Sequence, residues 1–392
     1  MQSKRIVAVH LLNDWSGSPL VFRQALEALH SAGFAIHLFT ATPSGQGFLS
    51  DLTGIITHPI QYKWSLVKWI TLLNYLLVQG RLFLKLLFFL RPTDQVYINT
   101  LLPFGAALAG WLRGCSVVYH VHEVSIKPRL LKSFLTAIAD FTARQALFVS
   151  DYTRQQTPLK RTSCKRIYNT VSESFSKQAD RISKPNTVSP FTALMLCSNK
   201  AYKGINEFVE CAHHLPHIRF LLVLNTDADS VDTFVKQAEP PANCTVYPAQ
   251  PETIPFYQQA HVVLNLSQPD AWVETFGMTI LEAMTCGRPV ITPTVGGICE
   301  LIEESKEGFR ISVSQKFVLV QTLRRLSSDI NLYLQMAEAA RRRALFFSPQ
   351  TFRREIRNVF QRTEPRLASL YTMENISRIG NTLAHKPSKL AH

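Results

Sequence analysis

The chain has 392 residues, of which 46% are hydrophobic and 18% charged; this composition excludes a largely disordered protein, and the length predicts two domains rather than one. The net charge of +14 comes mostly from residues 1–190, where 21 Lys and Arg face 9 Asp and Glu, so we expect an anionic partner for the first half. Seven cysteines without zinc-ligand spacing and an N-terminus without an export signal predict reduced thiols in a cytoplasmic protein.

Strands and helices alternate along the first half. A strand is predicted at residues 5–11, a turn at 13–19 and a helix at 20–32, which Gly33 ends. Further strands are predicted at residues 34–40, 95–99, 116–121 and 147–150, with helices after residue 103 and at 130–144. This alternation is typical of a parallel sheet with helices on both faces.

Residues 64–90 are nearly all apolar but are interrupted by Lys68, Arg81 and Lys85. The longest uncharged stretch, residues 69–80, is shorter than the about 20 residues that span a bilayer, so no transmembrane helix is predicted. Two interpretations remain open. One is a pair of helices whose apolar side chains enter the membrane interface, and the other is a pair of buried core helices.

The alternation stops at residues 171–190, which are rich in Ser, Lys, Asp and Pro and are predicted to be an interdomain linker. It then restarts, with helices predicted at 204–214 and within 277–286. Strands are predicted at residues 192–197, 219–224, 245–247, 261–266 and 289–292. The sequence therefore predicts two doubly wound α/β domains, with a ligand site in the cleft between them.

The segment from Glu274 to Ile291 reads as a loop, a short helix and a strand. Gly277 permits a tight entry into the helix, and Gly287 can end it in a left-handed conformation. The first amides of this helix are then free to bind a phosphate or sugar oxygen. Glu274 and Glu282 would then contact the same ligand. The alternative is that Glu274 only interacts favourably with the helix dipole and that Glu282 is a solvated surface residue.

The spacing of Glu274 and Glu282 resembles the Glu-x7-Glu motif of glycosyltransferase family 4, and shorter segments match in the same order along almost the whole chain. The resemblance implies the GT-B fold, in which two Rossmann-like domains face each other across a cleft. It implies an acceptor-binding domain at residues 1–185 and a nucleotide-sugar-binding domain at 190–347. Residues 348–366 would form a helix that packs back towards the first domain, followed by a tail at 367–392.

The resemblance also assigns roles to the donor segment. Glu274 would contact hydroxyls of the donor sugar and count as a catalytic residue, and Glu282 would hold the ribose hydroxyls. Backbone amides would surround the sugar and phosphate along the residues Thr275, Phe276, Gly277, Met278 and Thr279. The later pair Gly296-Gly297 with Glu300 resembles the family's Gly-Gly-x-x-Glu segment, although a turn with a helix-capping Glu would look the same.

Lys203, followed by Gly204, resembles the family's Lys-Gly pair, whose lysine neutralises the donor diphosphate. A cation is needed there because negative charge develops on the leaving group. Ser198 stands where the family commonly has an arginine, and Lys200 is a candidate to replace it. Either lysine could instead be a surface charge. Gly17, within the sequence SGSP, resembles the glycine-rich turn near the donor and acceptor phosphates.

His122 and Glu123 resemble the family's His-acid pair, in which the histidine reaches the reacting sugar. We expect His120 and His122 to alternate along the strand, so that only one of the two faces the cleft, and His122 is the predicted catalytic residue. A structural role is the alternative. On the acceptor or membrane side, a basic amphipathic patch is predicted from the residues Lys127, Arg129 and Lys132.

These features predict a retaining hexosyltransferase that uses a UDP- or GDP-sugar and needs no metal or other cofactor, because lysines and helix amides stand at the diphosphate. A lipid-linked or lipopolysaccharide-type acceptor would place it peripherally on the inner face of the cytoplasmic membrane, in bacterial polysaccharide biosynthesis. The alternatives are a sugar-nucleotide epimerase or hydrolase and a catalytically silent GT-B protein. Nucleic-acid binding would require a basic and aromatic module that the sequence lacks.

Overall fold

The computed structural model describes residues 4–42, 45–62, 65, 67–182 and 190–362. Two parallel sheets, of seven and six strands, form two α/β domains, and this confirms the predicted fold class. In the first domain, the strand order is β3-β2-β1-β4-β5-β6-β7. The strands are β1 (Arg5–Leu12), β2 (Ala35–Ala41), β3 (Ile56–Pro59), β4 (Gln95–Asn99), β5 (Ser116–Val121), β6 (Gln145–Phe148) and β7 (Ser163–Arg166).

Helices cover both faces of this sheet. They are α1 (Gly17–His30), α2 (Lys68–Phe89), α3 (Phe104–Leu112), α4 (Arg129–Thr142) and α5 (Asp151–Gln156). The next helix, α6 (Glu173–Ala179), packs into the core of the second domain instead. One core lies between the sheet and α2, α3 and α4, and a second lies between the sheet and α1. Helix α1 begins at Gly17, three residues before the predicted start, because the turn after β1 is shorter than expected.

Helix α2 corrects both interpretations of residues 64–90, because it is one continuous helix of 22 residues and is neither a pair nor fully buried. Its inner side buries Leu82 and Leu86 in the core of the first domain. Its outer side is apolar and exposed, and Trp69 and Phe88 at its two ends are 80% and 85% accessible. Among the described residues, Trp69–Phe89 is the one helix whose length and composition would suffice to cross a membrane.

The second domain has the strand order β10-β9-β8-β11-β12-β13. Its strands are β8 (Thr192–Ser198), β9 (Arg219–Asn225), β10 (Cys244–Tyr247), β11 (Val262–Leu264), β12 (Val290–Thr292) and β13 (Gly308–Arg310). Its helices are α7 (Ile205–His214), α8 (Ala228–Ala238), α9 (Ile254–Gln259), α10 (Met278–Thr285), α11 (Lys316–Ser328) and α12 (Ile330–Ala344). A last helix, α13 (Pro349–Arg362), follows.

The predicted linker at residues 171–190 is partly wrong. Ser172 caps α6 by accepting a hydrogen bond from the Phe175 amide, and Ala179 is buried. A helix of seven residues with few apolar positions leaves no visible period in the sequence, which explains the error. Residues 183–189 of the predicted linker lie outside the described residues.

Helix α13 packs on α1 of the first domain, and Arg357 Nε donates to the Ala28 carbonyl oxygen at 3.0 Å. Its buried side chains are Phe352, Ile356, Val359 and Phe360. The chain therefore returns to the first domain after completing the second. The end of the predicted helix beyond residue 362 and the predicted tail at 367–392 lie outside the described residues.

Candidate active site

A cavity of about 640 Å³ lies between the two domains, at the carboxyl ends of their central strands. Parallel α/β sheets bind ligands at this edge because the loops that follow the strands meet there. The first domain contributes residues from the turn before α1 and from the loops after β4 and β5. The second contributes residues from β8, from Lys203 and from the loop that leads into α10, which we call the donor loop (residues 272–279).

Glu274 is the most strongly anchored side chain of this cavity. Its Oε1 accepts hydrogen bonds from Lys203 Nζ at 2.5 Å, Ser267 Oγ at 2.9 Å and Asn265 Nδ2 at 3.4 Å. Within the described part of the chain, its Oε2 has no hydrogen-bond partner, which leaves that oxygen able to accept from a ligand hydroxyl.

The ionisation of Glu274 follows from these contacts. Burial raises its pKa, but the charge of Lys203 and the hydrogen bonds from Lys203, Ser267 and Asn265 outweigh burial, so the pKa lies below the ordinary value for Glu. A carboxylate is therefore present at neutral pH. Lys203 Nζ also lies 5.1 Å from the centre of the Trp272 ring, which holds the cation over an aromatic face.

The donor loop presents free backbone amides to the cavity. Gly277 caps α10 in the left-handed region, with φ of 95°, and its carbonyl accepts from the Ile280 and Leu281 amides. Among the described residues, no acceptor is found for the amides of residues 276–279. All four of these residues, together with Thr275, line the cavity. The predicted first-turn donors are therefore brought together with Glu274, and an anionic or hydroxyl oxygen suits them.

Glu282 lies one turn further along α10 and is not among the residues that line the cavity. Its Oε2 accepts a hydrogen bond from the Tyr257 hydroxyl at 2.6 Å. Burial raises its pKa to about 7, although the Tyr257 bond acts in the opposite direction. The pair Glu274 and Glu282 thus consists of an ionised carboxylate in the cavity and a more weakly acidic one behind it.

The two predicted lysines lie in different environments. Lys203 lines the cavity and its side chain is 13% exposed. Lys200 is exposed and does not line the cavity. Ser198, which stands in place of the family arginine, does line it.

His122 follows β5 and lines the cavity, whereas His120 points into the core, with its Nδ1 2.8 Å from the Tyr97 hydroxyl. The ring centres of His120 and His122 are 4.3 Å apart, so the two side chains lie on the same side of the strand, as residues two positions apart do, and the predicted alternation is wrong. Burial, followed by the nearby His120 and His10, holds the pKa of His122 well below its ordinary value, so the ring is neutral at pH 7. Its Nε2 is buried and has no hydrogen-bond partner in the described residues.

Glu123 beside it is held by the backbone. Its Oε1 accepts from the Leu101 amide at 2.7 Å, and its Oε2 accepts from the His122 amide at 3.2 Å. Burial raises its pKa, and the two amides and Lys132 partly oppose this. The carboxyl group therefore fixes the loops after β4 and β5 relative to each other.

Gly17 lines the cavity at the first turn of α1, and a side chain there would meet no atom within 4 Å. The predicted basic patch lies outside the cavity. Lys127 and Arg129 are exposed at the start of α4, while Lys132 Nζ donates to the Val124 and Gln156 carbonyl oxygens at 2.9 and 3.0 Å. Lys132 therefore holds the loop after β5 and presents less free charge than the sequence suggested.

Cavity residues that were not predicted from the sequence include Thr100, Asn169 and Trp272. Thr100 is a non-glycine residue with positive φ (71°), a conformation that its sequence gives no sign of. Asn169 is buried, and its Oδ1 has no partner in the described residues. Trp272 is 40% exposed at the cavity mouth and stacks on Tyr202. An aromatic residue two positions before the motif's first Glu could have been noticed from the sequence.

The sequence contains an Asp-x-Asp triplet, Asp227-Ala228-Asp229, a pattern that can hold a metal ion. In the structure it lies at the start of α8, where Asp227 accepts from the Ser230 amide at 2.8 Å and caps the helix. Neither aspartate lines the cavity.

Comparisons with known proteins agree with this architecture. Residues 176–343 match the family model "Glycosyl transferases group 1". D-inositol 3-phosphate glycosyltransferase of Salinispora arenicola is 37% identical over 75 residues, which cover 19% of this chain and 17% of that protein. The matches to the first curated relatives span only 17–22% of their lengths.

Solved structures resemble the chain over nearly its whole length. Anabaena HepE, solved with UDP-glucose, superposes with a TM-score of 0.71 at 17% identity, covering 92% of this chain and all of that one. WaaG, a glycosyltransferase involved in lipopolysaccharide biosynthesis, superposes with a TM-score of 0.65 at 14% identity, covering 91% and 100%. The chain therefore has the GT-B fold, and its second domain is similar to the group 1 glycosyl transferases over residues 176–343.

Proposed function

We propose that the protein is a retaining, metal-independent glycosyltransferase that moves a sugar from a UDP- or GDP-sugar to an acceptor hydroxyl. The observation that carries this proposal is the arrangement at the donor loop. An ionised carboxylate with a free oxygen, a lysine and four unpaired amides converge on one cavity. Sugar hydroxyls suit the carboxylate, and a diphosphate suits the lysine and the amides.

In the proposed reaction, the bond between the anomeric carbon and the diphosphate oxygen breaks, and the diphosphate leaves with the electron pair. The acceptor oxygen forms its bond to the same face of that carbon, and its proton passes to the departing phosphate oxygen. Lys203 and the amides of residues 276–279 would stabilise the developing phosphate charge. Glu274 would hold the donor sugar, and the neutral His122 would offer a hydrogen bond from the opposite wall.

The comparisons support a nucleotide-sugar donor, since HepE was solved with UDP and with UDP-glucose. The test is to incubate the purified protein with UDP- and GDP-sugars in the presence of membrane extract and to analyse the products by mass spectrometry. A transferase gives a sugar-extended acceptor and free nucleotide. A hydrolase gives free sugar, an epimerase gives an isomeric donor, and a silent GT-B protein gives no product, so each of these results would replace the proposal.

The outer side of α2 supports a second part of the proposal, a membrane-bound location. It forms an exposed apolar stripe with the residues Trp69, Ile70, Leu72, Leu73, Leu76, Leu77, Leu84 and Phe88. At 1.5 Å per residue, Trp69 and Phe88 are about 28 Å apart along the helix. Because the inner side of α2 belongs to the core, the helix would lie in the plane of a membrane interface.

Helix α4 adds Leu130, Phe134 and Phe141, all exposed and on one side of the helix. Exposed cations border these apolar residues at Arg81 and Lys85 on α2 and at Arg129 on α4. Since cations favour anionic headgroups, we propose peripheral binding to the inner face of the cytoplasmic membrane and a lipid-linked or lipopolysaccharide-type acceptor. The similar structure of WaaG, a glycosyltransferase involved in lipopolysaccharide biosynthesis, supports an acceptor of the lipopolysaccharide type.

Vesicle flotation tests this location separately from the reaction. The protein should float with phosphatidylglycerol vesicles, and the triple variant Leu73→Glu, Leu77→Glu, Leu84→Glu should stay in the dense fraction. Phe317→Glu is the matched control, because Phe317 is 75% exposed on α11 of the other domain. Equal flotation of the triple variant and the control would remove α2 as the membrane-binding element.

A further inference from the structure

The two domains are joined by hydrogen bonds directly behind the donor loop. Ser150, fully buried between β6 and α5, donates from Oγ to the Thr275 carbonyl oxygen at 2.7 Å. The same Oγ accepts from the Thr153 amide at 3.1 Å, as the cap of α5. Since Ser150 has a single hydroxyl proton and it is used on Thr275, the Thr153 hydroxyl, 2.7 Å away, must be the donor of the bond between them.

Glu300 makes a second connection at the same helix. Its two carboxylate oxygens accept from the Asp151 amide at 3.0 Å and the Tyr152 amide at 2.8 Å. The Tyr168 hydroxyl also donates to it, at 3.0 Å. A carboxylate of the second domain therefore satisfies the first-turn amides of a helix of the first domain, where a negative charge is stabilising. This places Glu300 in an interdomain contact and outside the cavity.

The glycine pair before Glu300 makes this contact sterically possible. A Cβ on Gly297 would lie 1.9 Å from the Thr275 oxygen and 2.4 Å from Ser150 Oγ. The Gly297 amide donates to the Glu274 carbonyl oxygen at 2.9 Å. Two successive carbonyls of the donor loop, at residues 274 and 275, are thus held from outside the loop, one by the glycine turn and one by the other domain.

We propose that Ser150 and Glu300 are positioning residues, an interdomain latch that aims the donor-loop amides at the ligand; this inference rests on the proposed function. The peptide unit between Thr275 and Phe276 is planar and trans, so its N–H points opposite to its C=O. When Ser150 holds the Thr275 carbonyl, the Phe276 amide is turned away from Ser150. The latch also fixes this amide relative to the first domain, which carries His122.

The test compares Ser150→Ala with Ser172→Ala. Ser172 Oγ caps α6 by accepting from the Phe175 amide at 3.1 Å, so the control removes an equivalent cap without touching the donor loop. We expect Ser150→Ala to lower kcat/KM for the nucleotide sugar about tenfold, the effect of one lost buried hydrogen bond. Ser172→Ala should stay within about twofold of the wild type in kcat/KM, and Ser150→Ala should have the lower Tm of the two, because it loses the bond to Thr275 in addition to a helix cap.

Hydrogen–deuterium exchange provides a readout that does not depend on turnover. The Gly297 amide donates to the Glu274 carbonyl oxygen and therefore reports on how firmly the donor loop is held. Peptides covering residues 297–299 should exchange faster in Ser150→Ala and in Glu300→Gln than in the wild type and in Ser172→Ala. Glu300→Gln keeps the size of the side chain but leaves one first-turn amide of α5 facing an amide group. The Glu300→Gln variant therefore tests the latch even if Ser150→Ala does not fold.

Unchanged exchange of residues 297–299 together with unchanged kcat/KM in both latch variants would overturn the inference. A wild-type protein that turns over no nucleotide sugar would instead overturn the proposed function, and the exchange measurement would still judge the latch. Faster exchange in the two variants, with Ser172→Ala like the wild type, supports it in either case.

Discussion

Replacing Lys203 by Ala should separate its two roles, as partner of Glu274 and as cation for the diphosphate. The Lys203–Glu274 pair is 2.5 Å long, and its side chains are only 13% and 16% exposed. Breaking such a pair leaves a buried charge and costs about 3 kcal/mol of unfolding free energy, the lower end of the usual range, because Ser267 and Asn265 still donate to Glu274.

The matched control is Lys316→Ala. The Lys316–Glu210 pair is also 2.5 Å long and lies in the same domain, but its side chains are 54% and 41% exposed. Solvent screens such a pair, so we expect little change in Tm. Urea unfolding of both variants measures the difference directly.

The double variant Lys203→Ala, Glu274→Gln should recover most of the lost stability, because no unpaired buried charge remains. Its affinity for UDP, which carries the diphosphate but no sugar, should stay about 10- to 100-fold below that of the wild type, as expected for a lost charged hydrogen bond. Isothermal titration calorimetry measures this affinity. If the double variant binds UDP as tightly as the wild type, Lys203 is only a counterion of Glu274 and its diphosphate role is refuted.

Three further predictions concern other residues of the donor side. Lys200→Ala should change UDP affinity less than about threefold, since one screened surface charge contributes little. A loss of UDP affinity of about tenfold in calorimetry would show instead that Lys200 contacts the donor. Because burial raises the pKa of Glu282 from 4.5 to about 7, the folded state holds a proton that the unfolded state has lost, so stability falls as pH rises between these values. Glu282→Gln should flatten this fall in Tm, and an unchanged pH profile would contradict the assigned pKa. Gly277→Ala should lower unfolding free energy by about 1–3 kcal/mol, since φ is 95° and a Cβ would lie 2.6 Å from Ile298; an unchanged denaturation midpoint would show that the loop relaxes.

Elements with strong apolar periodicity were predictable from the sequence. Strand β5 and strand β4 occur within the predicted bounds because all of their residues are buried. Short edge strands such as β3, with three of four residues exposed, carry no such signal. Helix α8 was not predicted, because only Val231 and Phe234 are buried along its 11 residues.

In the candidate site, too, some features were predictable from the sequence and others were not. The strand pattern and the resemblance to family 4 together predicted that Glu274, the donor-loop amides, Lys203 and His122 meet in one cleft, because each follows a strand of a parallel sheet. Contacts between distant segments could not be predicted locally. The bond from Ser150 to Thr275, for example, joins residues 125 positions apart.

Helix α13 has a consequence for how the chain folds during synthesis. The core around α1 includes Phe352 and Phe360 beside Phe22 and Leu26, so the first domain lacks part of its interior until the ribosome has passed residue 360. Domains usually fold in order from the N-terminus. Here the second domain can complete its sheet while the first still exposes the groove that α13 fills, and a fragment ending near residue 182 would emerge with that groove open.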